Sequence, residues 1–321
     1  ETDERHMCPF CRERVRRGEK LPVKRVRMRI VNLPIGATEE MVVGTIDIEK
    51  ILKEGVRAFQ PGILARANRN ILYIDEINLL PDHIADLILD AAALGWNYVE
   101  RENISISHPS KFILIGTMNP EEGDLRPQLL DRLPICVDIK GVRDPELRAE
   151  IIRINIEFSS DPEGFIKKYE PQQKALMNRI VRAREILDKV RIPDYILYLI
   201  SSLCMELEVD GHRPDIVIAQ TARALAALEG REEVMADDVR IASYMALIHR
   251  TRKGGLLEPP SIKEIQDVYA RVIRSVKSKF KVKIKEAGKK AVDYVGTIPR
   301  RAISVGEERD VKLKHSDQFF R

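Results

Sequence analysis

The chain has 321 residues, of which 44% are hydrophobic, and a formal net charge of +4, which is enough material for two domains that each bury a core. Its longest apolar runs, such as Ala91 to Leu94 and Ile196 to Ile200, fall far short of the roughly 20 residues needed to span a bilayer. The charged opening ETDERHMCPF lacks the apolar centre of a secretory signal, so no membrane partner is expected and the cytoplasm is the expected compartment.

Residues 1–30 are polar and basic, contain the turn-prone Pro9, and read as a loop or a zinc-ribbon remnant rather than a domain. Cys8 and Cys11 form a C-x-x-C pair, half of a tetrahedral zinc site, but no second pair follows at suitable spacing. The remaining cysteines, Cys136 and Cys204, sit among apolar neighbours and are read as packing residues. From Arg27 to Leu33 basic and apolar residues alternate up to Pro34, as in a strand that ends in a turn. Asp47 to Arg66 has helical character interrupted near Pro61 and Gly62, as in a helix with an inserted turn or hairpin.

Two short apolar runs, Ile71 to Ile74 and Phe112 to Ile115, end where acidic or amide side chains begin, and both read as buried strands of a parallel sheet. Between them His83 to Leu94 has helical spacing, and Val99 to His108 alternates about a polar centre as a hairpin does. Strand, helix, strand implies an α/β sandwich. After about Gly141 strand signals end, and helices are expected at roughly 144–157, 171–187, 193–207, 214–228, 236–252 and 261–275. Past Ser275, VKSKFKVKIK alternates lysine with apolar residues, an edge-strand or amphipathic pattern. The expected divisions are therefore a basic segment at 1–30, an α/β core at 31–141, a helical lid at 142–275 and a basic extension at 276–321.

The residues able to carry chemistry sit at the ends of these elements. In ILYIDE the carboxylates of Asp75 and Glu76 follow a strand directly, where open α/β sheets bind ligands. In a nucleoside triphosphatase one such acid holds magnesium through water, the role that suits Asp75, and the other polarises the attacking water, the role that suits Glu76. Asn119, in TMNP, occupies the tip of the other strand, where an amide either meets a γ-phosphate or lytic water or simply starts a turn before proline. RPQLLDR places Arg126 and Arg132 on a short helix, and Arg213 precedes Pro214 at a helix start. Each arginine reads equally as a surface ion-pair partner or as a group that stabilises transferring phosphate.

Their order and the strings around them carry a resemblance. LPIGATEEMVVGTIDIEK, GVRAFQPGILARANRNILYIDEINLL, VERENISISHP, FILIGTMNPEEGDLRPQLLDR and DPELRAEII closely resemble the magnesium chelatase ATPase subunit family, of the AAA+ ATPases, over about Val31 to Arg250. The resemblance implies an AAA+ parallel-sheet sandwich followed by an all-helical lid, with ATP and Mg2+ as cofactors. It implies that Asp75 and Glu76 are the Walker B pair, Asn119 sensor 1, Arg132 the arginine finger acting on a neighbouring subunit, and Arg213 sensor 2. It further identifies Ile51 to Leu64 as the helix-2 insertion and Val99 to His108 as the hairpin before sensor 1. Similar proteins form homo-oligomeric, hexameric rings and work with a partner that carries a von Willebrand A (VWA) domain. In chelatases a separate large subunit inserts the metal.

One departure stands out: the 321 residues contain no G-x-x-x-x-G-K-[ST] loop. Family members carry that loop upstream, so a truncation, a split gene or an interrupted reading frame is the expectation, with negligible ATP hydrolysis by this chain alone. Two alternatives accompany the chelatase reading: a MoxR-like chaperone for metalloenzyme assembly with a VWA-domain partner, and a DNA-associated AAA+ motor, since both ends are basic. Nucleic acid is not the expected partner.

Overall fold

The structure, a computed structural model, describes residues 4, 7, 9–24, 26–46, 59–101, 104–123 and 125–280. The chain divides into two compact units between Arg132 and Leu133.

The first unit is built on a three-stranded parallel sheet of β1 (Ile30–Leu33), β4 (Ile71–Ile74) and β7 (Ile113–Gly116), in the order β1-β4-β7. Parallel neighbours need crossover connections. The β1-to-β4 crossover contains helices α2 (Glu39–Val43) and α3 (Ile63–Ala67), with the antiparallel pair β2 (Gly44–Ile46) and β3 (Phe59–Pro61) between them. The β4-to-β7 crossover contains α4 (Asp82–Leu94) and the hairpin β5 (Trp96–Arg101) and β6 (Ile104–Pro109). Alternation along the central strand puts Leu72 and Ile74 in the core with Leu33, together with Ile84 and Ile88 of α4 and Val42 and Val43 of α2. The unit ends with the short helix α5 (Pro127–Arg132).

Two glycines set the β2–β3 geometry. A Cβ on Gly62 would lie 2.4 Å from the Gly44 nitrogen and 2.5 Å from the Val42 carbonyl oxygen, so backbone meets backbone where no side chain fits.

Helices make the second unit: α6 (Pro145–Ser160), α7 (Pro162–Ile186), α8 (Asp194–Glu206), α9 (Arg213–Leu228), α10 (Ala236–Leu247) and α11 (Ile262–Phe280). Asp144 caps α6 by accepting from the Glu146 and Leu147 amides, and Asp161 caps α7 by accepting from Gly164. The core joins Ile196, Leu199 and Leu203 of α8 to Ile218 and Ala222 of α9, Val239 and Leu247 of α10, and Ile265 and Val272 of α11. Residues 133–136 belong here because the Leu133 carbonyl accepts from His249 and the Cys136 amide donates to Met245. Among the described residues no helix is long and apolar enough to cross a membrane.

Several expectations are corrected. The segment around Pro9 is helical, α1 (Pro9–Arg16), because proline is tolerated in a first turn where its missing N–H has no partner to lose. Residues 59–61, at the turn or hairpin expected to interrupt a helix, pair as β3 with residues 44–46, which precede the expected helix, and 47–58, which hold most of the expected helix-2 insertion, lie outside the described residues. Strand β7 is not buried as expected: Ile113 and Ile115 are exposed, on the sheet face opposite the buried Leu72 and Ile74. Helix α7 starts nine residues before its expected beginning and contains Pro171. Helix α11 runs to Phe280 with Val276 buried, one turn after Val272, so the helical period outlasts the apparent alternation of lysines. Residues 281–321 lie outside the described residues.

Candidate functional site

Strands β4 and β7 run parallel with Ile74 beside Gly116, so their carboxyl ends open at the same level of the sheet. Asp75 and Glu76 follow the first strand, and Thr117, Met118 and Asn119 follow the second. The sequence therefore brings Asp75, Glu76 and Asn119 to the ends of two adjacent strands, at the edge where parallel sheets hold ligands.

Hydrogen bonds set the two acids differently. The Asp75 Oδ1 atom accepts from the Thr117 hydroxyl at 2.5 Å and from the Tyr73 hydroxyl at 3.0 Å. Two donors on one oxygen fix the rotamer of the side chain. Glu76 takes its position from the backbone, with φ 54° and ψ 56°, in the left-handed region. A residue other than glycine is held there at a cost of about 1–3 kcal/mol, and such strain gathers at functional sites. The turn is anchored by the Ile77 amide donating to the Thr117 carbonyl at 2.9 Å and the Thr117 amide donating to Ile74 at 3.0 Å. Gly116 lets this turn close, since a Cβ there would come 2.9 Å from the Ile77 Cδ1 atom.

Asn119 caps the short turn Pro120–Glu122, its Oδ1 accepting from the Glu121 amide at 3.2 Å. That is the turn-starting role proline predicts. The cap uses the acceptor of the amide and leaves the donor, Nδ2, which is the polarity a phosphate oxygen requires.

The arginines of the α5 region are held by acids of α4. Arg126 pairs with Asp82 and Arg132 with Asp90, the latter at 2.5 Å. Arg132, expected to act on a neighbouring subunit, thus has a carboxylate partner in its own chain. Yet Arg132 is exposed, and its side chain and that of Asp90 keep 39% and 61% of their accessibility. Such an exposed pair contributes only about 0–1 kcal/mol, so another anion competes for the guanidinium at little cost. Arg213 opens α9 in the second unit, exposed and followed by the buried Pro214.

The acid pair suits a hard cation, which takes oxygen ligands from carboxylates and water. The phosphate-cradling loop is not among the 321 residues. Cys8 lies outside the described residues, and Cys11 is half-buried on α1. Among the described residues no group of three or more His, Cys, Asp or Glu side chains is placed to hold a metal. Sequence reasoning missed Thr117 and Tyr73, the residues that orient Asp75. Their signal was slight: a hydroxyl directly after β7, and a tyrosine two residues before the acid on a strand, hence on the same face.

Comparison with known proteins places this geometry. Residues 19–133 match the model of the AAA domain (dynein-related subfamily), and residues 197–268 match that of the AAA lid domain. The chain is 54% identical to the magnesium-chelatase subunit ChlI homolog of Methanocaldococcus jannaschii over 257 residues, covering 80% of this chain and 70% of that protein. It is 50% identical to magnesium-chelatase subunit ChlI of Anabaena variabilis, covering 79% of this chain and 75% of the other. A crystal structure of a Cytophaga hutchinsonii protein superposes with a TM-score of 0.53 at 16% identity, over 81% of this chain and 78% of that one, a likeness of fold alone.

Proposed function

Because the chain belongs to the family of magnesium-chelatase ATPase subunits, we propose that it is the AAA+ motor subunit of a chelatase-like complex, in which ATP hydrolysis drives metal insertion into a tetrapyrrole by a partner. The observation that carries this reading is the pair Asp75 and Glu76 at the end of β4, with Asn119 beyond the adjacent β7. In it Asp75, already oriented by two hydroxyls, holds Mg2+ through water, and bound magnesium neutralises phosphate charge. Glu76 orients and polarises the attacking water, and the Asn119 Nδ2 donates toward the γ-phosphate or that water. Arg132 leaves Asp90 to reach the nucleotide of the next subunit in a homo-oligomeric ring, and Arg213 meets the γ-phosphate from the lid. The phosphate cradle comes from a G-x-x-x-x-G-K-[ST] loop that these 321 residues do not contain. A VWA-domain subunit and a large metal-inserting subunit complete the assembly.

The test is reconstitution. This chain, a polypeptide carrying the phosphate loop, the VWA-domain subunit and the large subunit are combined, and magnesium insertion is followed by the absorbance change of the tetrapyrrole. Insertion that needs ATP and this chain, and is lost in Glu76→Gln, is the expected result; insertion indifferent to Glu76→Gln would overturn the proposal. Rings that mix Arg132→Ala with Glu76→Gln should recover activity, since some interfaces then combine an intact Glu76 with an intact Arg132.

A further inference from the structure

Thr117 opens the TMNP segment but holds none of the roles assigned above, yet it bonds to four consecutive residues of the acid-bearing strand end. Its amide donates to the Ile74 carbonyl, its hydroxyl donates to Asp75, the same hydroxyl accepts from the Glu76 amide at 3.3 Å, and its carbonyl accepts from the Ile77 amide. The parallel ladder cannot continue past Ile74, because the chain turns left-handed at Glu76 and leaves the strand. The Glu76 and Ile77 amides lie past the last ladder pair, and the two oxygens of Thr117 take them up. The hydroxyl is used in both directions, as acceptor for Glu76 and donor for Asp75, which only Ser or Thr supplies at this position without a longer side chain.

We infer that Thr117 is a positioning residue that locks the Asp75 carboxylate and the left-handed Glu76 backbone together and ties both to the end of β7. Its side-chain bonds make the acid pair one mechanical piece with the segment leading to Asn119, two residues further on. A displacement of residues 117–119 therefore reaches Asp75 and Glu76 through the hydroxyl in addition to the two backbone bonds. The consequence for hydrolysis rests on the function proposed above; the coupling itself does not, and the test uses no nucleotide.

The test compares amide hydrogen exchange in the full chain with that in Thr117→Val, which keeps the branched shape and the backbone bonds but removes the hydroxyl, and Thr117→Ser, which keeps the hydroxyl. In Thr117→Val the Glu76 amide should exchange about tenfold faster, the loss expected for one hydrogen bond, while the Ile77 and Thr117 amides, held by backbone carbonyls, keep their protection. In Thr117→Ser all three should match the parent chain. Unchanged exchange at Glu76 in Thr117→Val, or equal loss at all three amides, would overturn the inference, the second outcome making Thr117 only a part of the fold. Should Thr117→Val fail to fold, Thr117→Ala against Thr117→Ser gives the same contrast. Failure here leaves the ATPase reading standing, and failure of Glu76→Gln in the reconstituted complex leaves the coupling standing.

Discussion

Glu76 carries an acid and a backbone conformation that L residues avoid, and the two can be separated. Replacing it with Ala removes the carboxylate and keeps the Cβ that makes φ 54° unfavourable; replacing it with Gly removes both. At an ordinary site Ala is the more stabilising of the two by about 0.4–1 kcal/mol, through the unfolded chain. At Glu76 the order should invert, with Glu76→Gly more stable than Glu76→Ala by about 1 kcal/mol. The sole tryptophan, Trp96, lies in the same unit, so its fluorescence in urea reports the comparison. Ala the more stable would mean that the turn holds no strain. The position of Asp75 and Glu76 at a strand end was legible from four apolar residues leading into two acids. The strain was not, since nothing in the letters DEIN marks a left-handed residue where glycine or asparagine would have. Arg132 was legible as a helix-borne guanidinium, but its partner Asp90 lies 42 positions away in sequence, a distance over which local pattern is silent.

Among the elements, β4 and β7 read alike in sequence and differ in the fold. Both are runs of four apolar-rich residues, but by register Ile113 and Ile115, 53% and 44% exposed, lie on the face of the half-buried Ile71 and Tyr73, opposite the buried Leu72 and Ile74. A continuous apolar run identifies a strand without saying which of its faces is covered, because that depends on what packs against the sheet. The consequence is testable within one strand. Ile115→Thr, at an exposed position with a good β-former, should change stability by less than about 1 kcal/mol. Gly116→Ala, one residue on, should cost about 1–3 kcal/mol, because three atoms of Ile77 lie 2.9–3.2 Å from the added methyl. Ile77→Val removes the nearest of them, Cδ1, and should recover part of that cost in the double variant. Urea midpoints from Trp96 fluorescence decide; equal costs for the two single substitutions would contradict the packing described. The helices of the second unit were more legible, since a 3.6-residue period survives over three turns or more and the caps Asp144 and Asp161 stand at their starts. Pro171 misled because proline usually marks a boundary, and here the long helix carries it inside.

At the scale of the molecule, a strand-rich unit followed by a helical one was readable from the point where strand signals end. What the two units contain decides the remaining prediction. Walker-type phosphoryl transfer needs a backbone cradle and a lysine for the β- and γ-phosphates, a hydroxyl for magnesium, an acid pair, and charge-stabilising donors from sensor and finger. The chain supplies the acid pair and candidates for the donors, and its 321 residues contain no G-x-x-x-x-G-K-[ST] sequence. Acids alone repel an anionic nucleotide, and they act on it only when other groups hold the phosphates in place. The purified chain should therefore release no phosphate from ATP above the level of its Glu76→Gln variant, in a continuous phosphate-release assay with magnesium in excess. Adding a polypeptide that bears the phosphate loop should raise turnover in the parent and leave Glu76→Gln at background. Appreciable hydrolysis by the chain alone, abolished by Glu76→Gln, would mean that its own residues hold the phosphates by some arrangement other than the loop. The search for it would then begin with the arginines already paired on the first unit, Arg126 and Arg132, whose weak exposed ion pairs an incoming phosphate can displace.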